Sequence, residues 1–303
     1  MYMAGGLLGY GRKICIGRKF VYVKKKLYLC SMKHIRIISP SGAIAPNYII
    51  DARQRLEGWG FKVSLGAHAM GEHGRFAGTI EERLSDLNAA FADASVDVIL
   101  CSRGGYGLQQ IADQIVLPSR PKEEWPLVVG FSDITVLHAL MSLNGVPSLH
   151  ASMCKALATL PDDAPQLLHL REALEEGRLW KGLQKGKIIG GNLSVLYGLQ
   201  GTPYSLNAVI DSMDEAPILL IEDICERHYH IDRMLNNLRL SGVMSRLSGV
   251  IVGQFTDCDD DPMMGCSVQD TVRQYFMGYG YPVECDAPYG HMDENEPILL
   301  CCN

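Results

Sequence analysis

No stretch of this 303-residue sequence approaches the ~20 consecutive apolar residues that a membrane-spanning helix needs, which argues against a membrane anchor. A secretory leader is not expected either: the apolar piece "GGLLGY" is too short, and the basic residues follow it instead of preceding it. Positive charge is not in excess. The net charge is −6, which speaks against nucleic-acid binding, because that needs a cationic surface to replace phosphate counterions. The ten cysteines form no CxxC pair and share no zinc-type spacing with histidine, so they read as reduced thiols of a cytoplasmic protein. No internal repeat is visible. Acidic residues are absent from residues 1–31, which hold seven Lys or Arg and leave −13 for residues 32–303. "MKHIRIISPSG" reads like a natural start at Met32, so 1–31 is expected to be a basic extension outside the fold.

What is present is a globular composition, 47% hydrophobic and 20% charged, over a length that commonly splits into two domains. The first half alternates strand and helix signals. "HIRIIS" is rich in β-branched residues, "NYIIDARQRLEGWG" carries apolar residues at helical spacing, and "FKVSLG" is strand-like. "TIEERLSDLNAAFAD" is an amphipathic helix in which Thr79 and Glu82 have the spacing of a capping box. "VDVILCS" and "WPLVVGFS" are further buried strands, the second followed by the helix "DITVLHALMSLNG". This pattern predicts an α/β protein with a mostly parallel N-terminal sheet flanked by helices. Residues 156–185 break the alternation and are expected to connect two domains, 32–155 and 186–303. The second is α/β or mixed-sheet: "KIIGGNLSVLYGL" reads as strand, Gly-Gly turn and helix, "PILLIED" and "LSGVIVGQF" as buried strands, and "IDRMLNNLRLSG" and "SVQDTVRQYFMG" as helices.

In open α/β sheets, chemistry collects at the carboxyl ends of strands. Ser132 follows "PLVVGF" and reads either as a helix N-cap or as a nucleophile on a tight strand-to-helix turn of the GxSxG kind, with the second glycine missing. "SRGGYG" (102–107) reads either as a plain turn or as backbone N–H groups arranged for an oxyanion. It lacks the third glycine of a dinucleotide fingerprint, so no cofactor is expected. Glu222 and Asp223 close an apolar strand, where a carboxylate either orients a histidine or caps the next helix. His291 sits in the loop "APYGHMDENEP" and completes the chain order Ser, Glu, His, with His150 as its rival. His228 and His230 lack a third metal-ligand signal, "DCDDDP" lacks the glycine and distal Glu of a calcium loop, and Cys101 lies in a buried-strand pattern. No metal is expected.

Several stretches together resemble the L,D-carboxypeptidases of the muramoyl-tetrapeptide type and the related microcin C self-immunity peptidases. They are "SPSG" (39–42), "GRFAGTIEERLSDLNAAFAD" (74–93), "SRGGYG", "GFSDIT" (130–135), "GGNLSVL" (190–196), "LIEDICERHYHIDRMLNNLRLSG" (220–242), "VGQFTD" (252–257) and "GH" (290–291). The resemblance runs from about residue 32 to the end. It implies a serine peptidase with Ser132 as nucleophile, Glu222 as acid and His291 as base, in a site between two domains, often in a homodimer. It also implies oxyanion donors at Asp133 N–H and at Gly104 or Gly105. The implied substrate is a cytoplasmic murein tetrapeptide that loses its terminal D-alanine during peptidoglycan recycling. Arg103 and Arg233 are candidates for its free carboxylate, an Arg buried against Glu222 being the other reading.

The sequence departs from the family in three places. "LHASMC" stands where His-Gly-Pro is usual, Cys225 stands where glycine is usual, and the chain ends at "LLCCN" where relatives continue through one more strand. A missing strand would expose a sheet edge or loosen the His291 loop. The alternatives are a self-immunity peptidase cleaving a peptide–nucleotide antibiotic, for which Trp125 and Trp180 lie outside the motifs, or a murein-peptide-binding relative without turnover.

Overall fold

The computed structural model describes residues 33–176 and 186–301. The basic segment 1–31, Trp180 and the end of the expected connector lie outside the described residues. The first part of the chain runs β1 His34–Ile38, α1 Pro46–Gly58, β2 Lys62–Leu65, α2 Ile80–Ala92, β3 Val98–Cys101, β4 Leu127–Gly130, α3 Thr135–Leu143, β5 Ser148–His150, α4 Cys154–Thr159 and α5 Pro165–Glu176. It continues through β6 Ile188–Asn192, α6 Leu193–Gly198, α7 Leu206–Asp211, β7 Ile218–Ile224, α8 His228–Leu240, β8 Gly249–Thr256, α9 Val268–Phe276, β9 Val283–Glu284 and β10 Ile298–Leu300.

Local chemistry explains the elements. Helix α1 starts with Pro46 in its first turn, where the missing N–H has no intrahelical partner to lose, and buries Ile49, Ala52 and Leu56 on one stripe. Helix α2 begins at the expected capping box: Glu82 N–H donates to Thr79 Oγ1 at 3.2 Å, and Thr79 N–H to Glu82 Oε2 at 2.8 Å. Such a cap contributes about 1 kcal/mol.

Two sheets result. The first has the order β10-β5-β4-β3-β1-β2 and is parallel except for β10. The second, β6-β7-β8-β9, is wholly parallel, so the second half is α/β and not mixed. Helix α3 packs between them, its Val136, Leu137 and Leu140 sharing one core with Ile189, Leu219 and Leu235. Thr135 Oγ1, at its start, accepts the Asn192 N–H at 3.0 Å and so joins the two halves.

Three details differ from the sequence reading. Gly190 and Gly191 lie inside β6, not in a turn; a Cβ on Gly190 would come within 2.1 Å of Leu220 O, and one on Gly191 within 2.5 Å of Thr135 Oγ1. Only glycine allows that close approach. Helix α5, from the expected connector, packs Leu167, Leu170 and Leu174 into the core beneath the first sheet, with Ile35, Ile49 and Leu56. The segment after His291 returns to the first sheet as β10, pairing Ile298 with His150 and Leu300 with Ser148. The His291 loop is held on both sides: Gly290 N–H donates to Asn295 Oδ1 at 2.9 Å, Glu296 N–H to Pro288 O at 2.8 Å and Gln166 Nε2 to Asp293 O at 2.6 Å. It is not loosened, because strand pairing and side chains from the first half pin it.

Candidate active site

Ser132 lies two residues past the end of β4 and has φ 66°, the left-handed region that costs a non-glycine residue about 1–2 kcal/mol. Strain of this kind persists where surrounding structure imposes it, and it clusters at functional sites. The serine opens a single 3-10 turn, 132–134, and its side chain makes no capping bond to α3, whose cap position is Ile134. The N-cap reading is therefore excluded. Gly130 permits the sharp exit from the strand, since its φ is 155° and a Cβ there would meet Ile134 at 2.9 Å.

The Gly-rich turn after β3 lies directly over this serine. A Cβ on Gly104 would lie 2.7 Å from Ser132 Cβ, 2.9 Å from Ser132 Oγ and 3.1 Å from the Asp133 nitrogen. Gly104 thus leaves open the space above both the hydroxyl and the next backbone N–H. The Asp133 side chain turns the other way. It is buried, and its Oδ2 accepts from Ser41 Oγ and from Leu108 N–H, the latter at 2.9 Å. Burial pushes this carboxyl up, while the Ser41 and Leu108 bonds and the Arg83 charge oppose that shift. One carboxylate so ties the "SPSG" turn to the end of the Gly-rich turn.

Arg83 completes the frame and was not singled out from the sequence. Its side chain is 2% exposed and donates to Pro40 O at 3.1 Å, Gly107 O at 2.9 Å, Gly78 O at 3.3 Å and Gln110 Oε1 at 2.9 Å. The available signal was an arginine on the apolar stripe of α2, at the spacing of Leu87 and Ala90.

Glu222 and His291 come from the second half of the chain. His291 Nδ1 lies 2.7 Å from Glu222 Oε2; the carboxylate is fully buried and the imidazole 16% exposed. A carboxylate accepts, so Nδ1 donates, and in the neutral ring this tautomer leaves the lone pair on Nε2. Glycines make room for the acid: a Cβ on Gly290 would meet Glu222 Oε2 at 2.9 Å, and one on Gly253 would meet Glu222 Cβ at 3.1 Å. Neither acid caps α8, whose cap position is Arg227. Asp223 accepts instead from Asn192 Nδ2 at 2.9 Å and from Ser194 N–H, in the first turn of α6, at 2.8 Å. Burial, then the neighbouring Glu222 charge, pushes Asp223 up to about 7.

Ser132, Gly104, Gly105, Arg103, Phe131 and His291 line one cleft of 740 Å³. The Phe131 and His291 rings lie 4.8 Å apart, which sets the imidazole beside the residue preceding the serine. Asp133 lies behind the cleft wall, with only its backbone turned to the space that Gly104 leaves. Arg103 donates to Ala43 O on the rim. Arg233 does not line the cleft: it sits exposed on α8 with its guanidinium 5.5 Å from the Tyr229 ring centre, and it does not hold Glu222. The rival His150 is fully buried, its ring centre 5.6 Å from that of Phe131, and burial pushes it well below the usual imidazole range. Cys101 is likewise buried, which pushes its thiol up. His228 is engaged by Thr271 and by the Asp261 N–H, and Trp125 donates to Arg120 O.

Comparison with known proteins identifies the family and the fold. The LD-carboxypeptidase N-terminal domain matches residues 35–151 and the LD-carboxypeptidase C-terminal domain residues 185–302. The Bacillus subtilis "Probable murein peptide carboxypeptidase" is 31% identical over 275 residues, 85% of this chain and 83% of that one. The murein tetrapeptide carboxypeptidase of Pseudomonas aeruginosa is 30% identical over 278 residues, 86% of this chain and 89% of that one. The muramoyltetrapeptide carboxypeptidase from Oxalobacter formigenes superposes with a TM-score of 0.74 at 24% identity, over 88% of this chain and 92% of that one. Microcin C7 self-immunity protein MccF, in its wild-type apo state, gives 0.72 at 18% identity, over 88% and 91%. At these identities the two solved structures share the fold.

Proposed function

Because this chain belongs to the LD-carboxypeptidase family, we propose that it is a serine-type L,D-carboxypeptidase that releases the terminal D-alanine from murein tetrapeptides. The observation that carries this reading is the opening of three features onto one cleft: a strained Ser132 at a strand end, a His291 held by a buried Glu222, and the glycine-walled space over Ser132 and the Asp133 N–H.

In this reading His291 Nε2 removes the Ser132 proton and the serine oxygen attacks the scissile carbonyl. The Asp133 N–H and a backbone N–H of Gly104 or Gly105 hold the oxyanion. The protonated imidazole, stabilised by Glu222, passes its proton to the departing amine of D-alanine, leaving an acyl-enzyme. Water, deprotonated by the same imidazole, then releases the shortened peptide. No step requires a cofactor. Among the described residues no helix is long and apolar enough to cross a membrane. In this reading the enzyme acts in the cytoplasm, where murein peptides are recycled, and the assembly expected from the family resemblance is a homodimer, which sedimentation measures.

The test is D-alanine release from a murein tetrapeptide by the full chain, with Ser132→Ala alongside. Release by the wild type and none by the folded variant is the expected result. Equal release by both removes Ser132 as nucleophile. Peptide binding without release by the folded wild type makes the protein a binding relative, and hydrolysis of a peptide–nucleotide conjugate alone makes it an immunity-type peptidase.

A further inference from the structure

Two segments that follow strands of the first sheet each bring a cation into the cleft of the nucleophile. Strands β3, β4 and β5 are neighbours in the order β5-β4-β3 and run parallel. Arg103 lies two residues past the end of β3, Ser132 two past β4, and Lys155 five past β5. The outer two segments are tied to each other by Cys154 N–H donating to Ser102 O at 3.3 Å. Arg103 and Lys155 both line the cleft that holds Ser132 and His291.

Neither cation is neutralised. Among the described residues the Lys155 ammonium has no hydrogen-bond or ion-pair partner, although its residue is exposed and the chain carries 34 acidic side chains. Arg103 donates one bond, to the uncharged Ala43 O, which leaves most of its five N–H groups free. The one carboxylate lining the cleft is Asp293, on the His291 loop. The cleft is therefore a cationic spot on an acidic protein whose net charge is −6.

The reaction supplies a reason for charge at that place. In a peptide that loses its last residue, the free carboxylate sits one residue beyond the scissile carbonyl, about 4 Å on by the spacing of trans peptides. A group that reads it must flank the nucleophile and cannot lie at the far end of the cleft. Internal peptide bonds carry no such charge, so a cation beside the serine is what confines cleavage to the last bond.

We propose that Lys155, acting with Arg103, holds the C-terminal carboxylate of the peptide and is the specificity-determining residue of this site. The proposal rests on the peptidase reading above. Lys155 supplies a mobile point charge. Arg103, steadied by Ala43, supplies a fork that donates to both carboxylate oxygens. Asp293 repels the same carboxylate from the His291 side and so fixes the direction in which the peptide lies.

The experiment measures binding in the Ser132→Ala background, which separates recognition from turnover. The probes are a murein tetrapeptide ending in D-alanine and the same peptide with a C-terminal amide, titrated calorimetrically. The acid is expected to bind about 10- to 100-fold tighter than the amide, as for a charge-assisted hydrogen bond. Adding Lys155→Met is expected to remove most of that ratio by weakening the acid alone, and Lys155→Arg to restore it. An acid-to-amide ratio unchanged by Lys155→Met overturns the role of Lys155. Equal binding of acid and amide by Ser132→Ala itself overturns the clamp while leaving the peptidase reading intact. Binding of neither peptide overturns both.

Discussion

His291 Nδ1 and Glu222 Oε2 stand 2.7 Å apart, a histidine of one loop held by a carboxylate with no exposed surface. The partner on Nδ1 decides which ring nitrogen faces the cleft. Glu222→Gln keeps the shape but allows an amide N–H to face Nδ1, which selects the other tautomer. The expected result is a fall in kcat of ~10²- to 10⁴-fold with an unchanged fold, by comparison with a triad whose acid is made neutral. Steady-state kinetics with circular dichroism on the same samples checks it; full activity would remove Glu222 from the triad.

Gly104→Ala tests the space over the nucleophile. The backbone of Gly104 is not in the left-handed region, so the substitution acts through the added methyl, which meets Ser132 Cβ at 2.7 Å and covers the Asp133 N–H at 3.1 Å. A loss of about 10²- to 10³-fold in kcat is expected, the range for removing one oxyanion donor. The comparison is Gly74→Ala, where nothing lies within 4 Å of the new Cβ but φ is 61°, so that stability should fall and kcat stay.

Cys225 occupies a position where the family resemblance calls for glycine, and its φ is 58°. The residue is exposed, and its backbone N–H donates to Thr256 O at 2.9 Å, a bond that glycine keeps. Relief of the left-handed strain is worth about 1–2 kcal/mol, against about 0.4–1 kcal/mol for the greater freedom of an unfolded glycine. Cys225→Gly should therefore stabilise the protein by roughly 0.5–1 kcal/mol. A lower urea midpoint in the variant would contradict this.

Stability should fall on acidification through His138. This imidazole is fully buried, with Nε2 2.9 Å from Gly130 O and Nδ1 2.8 Å from Ser148 Oγ. Burial pushes it down to about 4 from 6.5. Between those values the unfolded chain binds a proton that the folded one does not, so stability is present above pH 6.5 and declines as pH falls toward 4. The decline is worth about 3 kcal/mol when complete. Urea unfolding at steps between pH 7 and 4 measures it, and His138→Gln, which does not titrate, should flatten the slope.

What could be read from residue order alone was what depends on near neighbours. The Thr79–Glu82 cap, the stripe of α1 and the β-branched runs of β1 and β7 act within a few residues, so their spacing carries the information. Ser132 and Glu222 were legible as candidates by type and place at strand ends, and His291 by type and chain order. Whether Ser132 caps a helix or points into a cleft was not, because the answer is a backbone angle of 66° imposed by the packing of Gly130 and Gly104. Long-range contact also decided that Gly190 and Gly191 sit inside a strand, that the chain after His291 closes the first sheet, and that Arg83 is spent inside the molecule while Arg233 lies outside the cleft. Lys155 carries no local mark at all. It shares a cleft with Ser132 because three parallel strands bring residues 103, 132 and 155 to one sheet end, and that register is set by side-chain packing across the whole core.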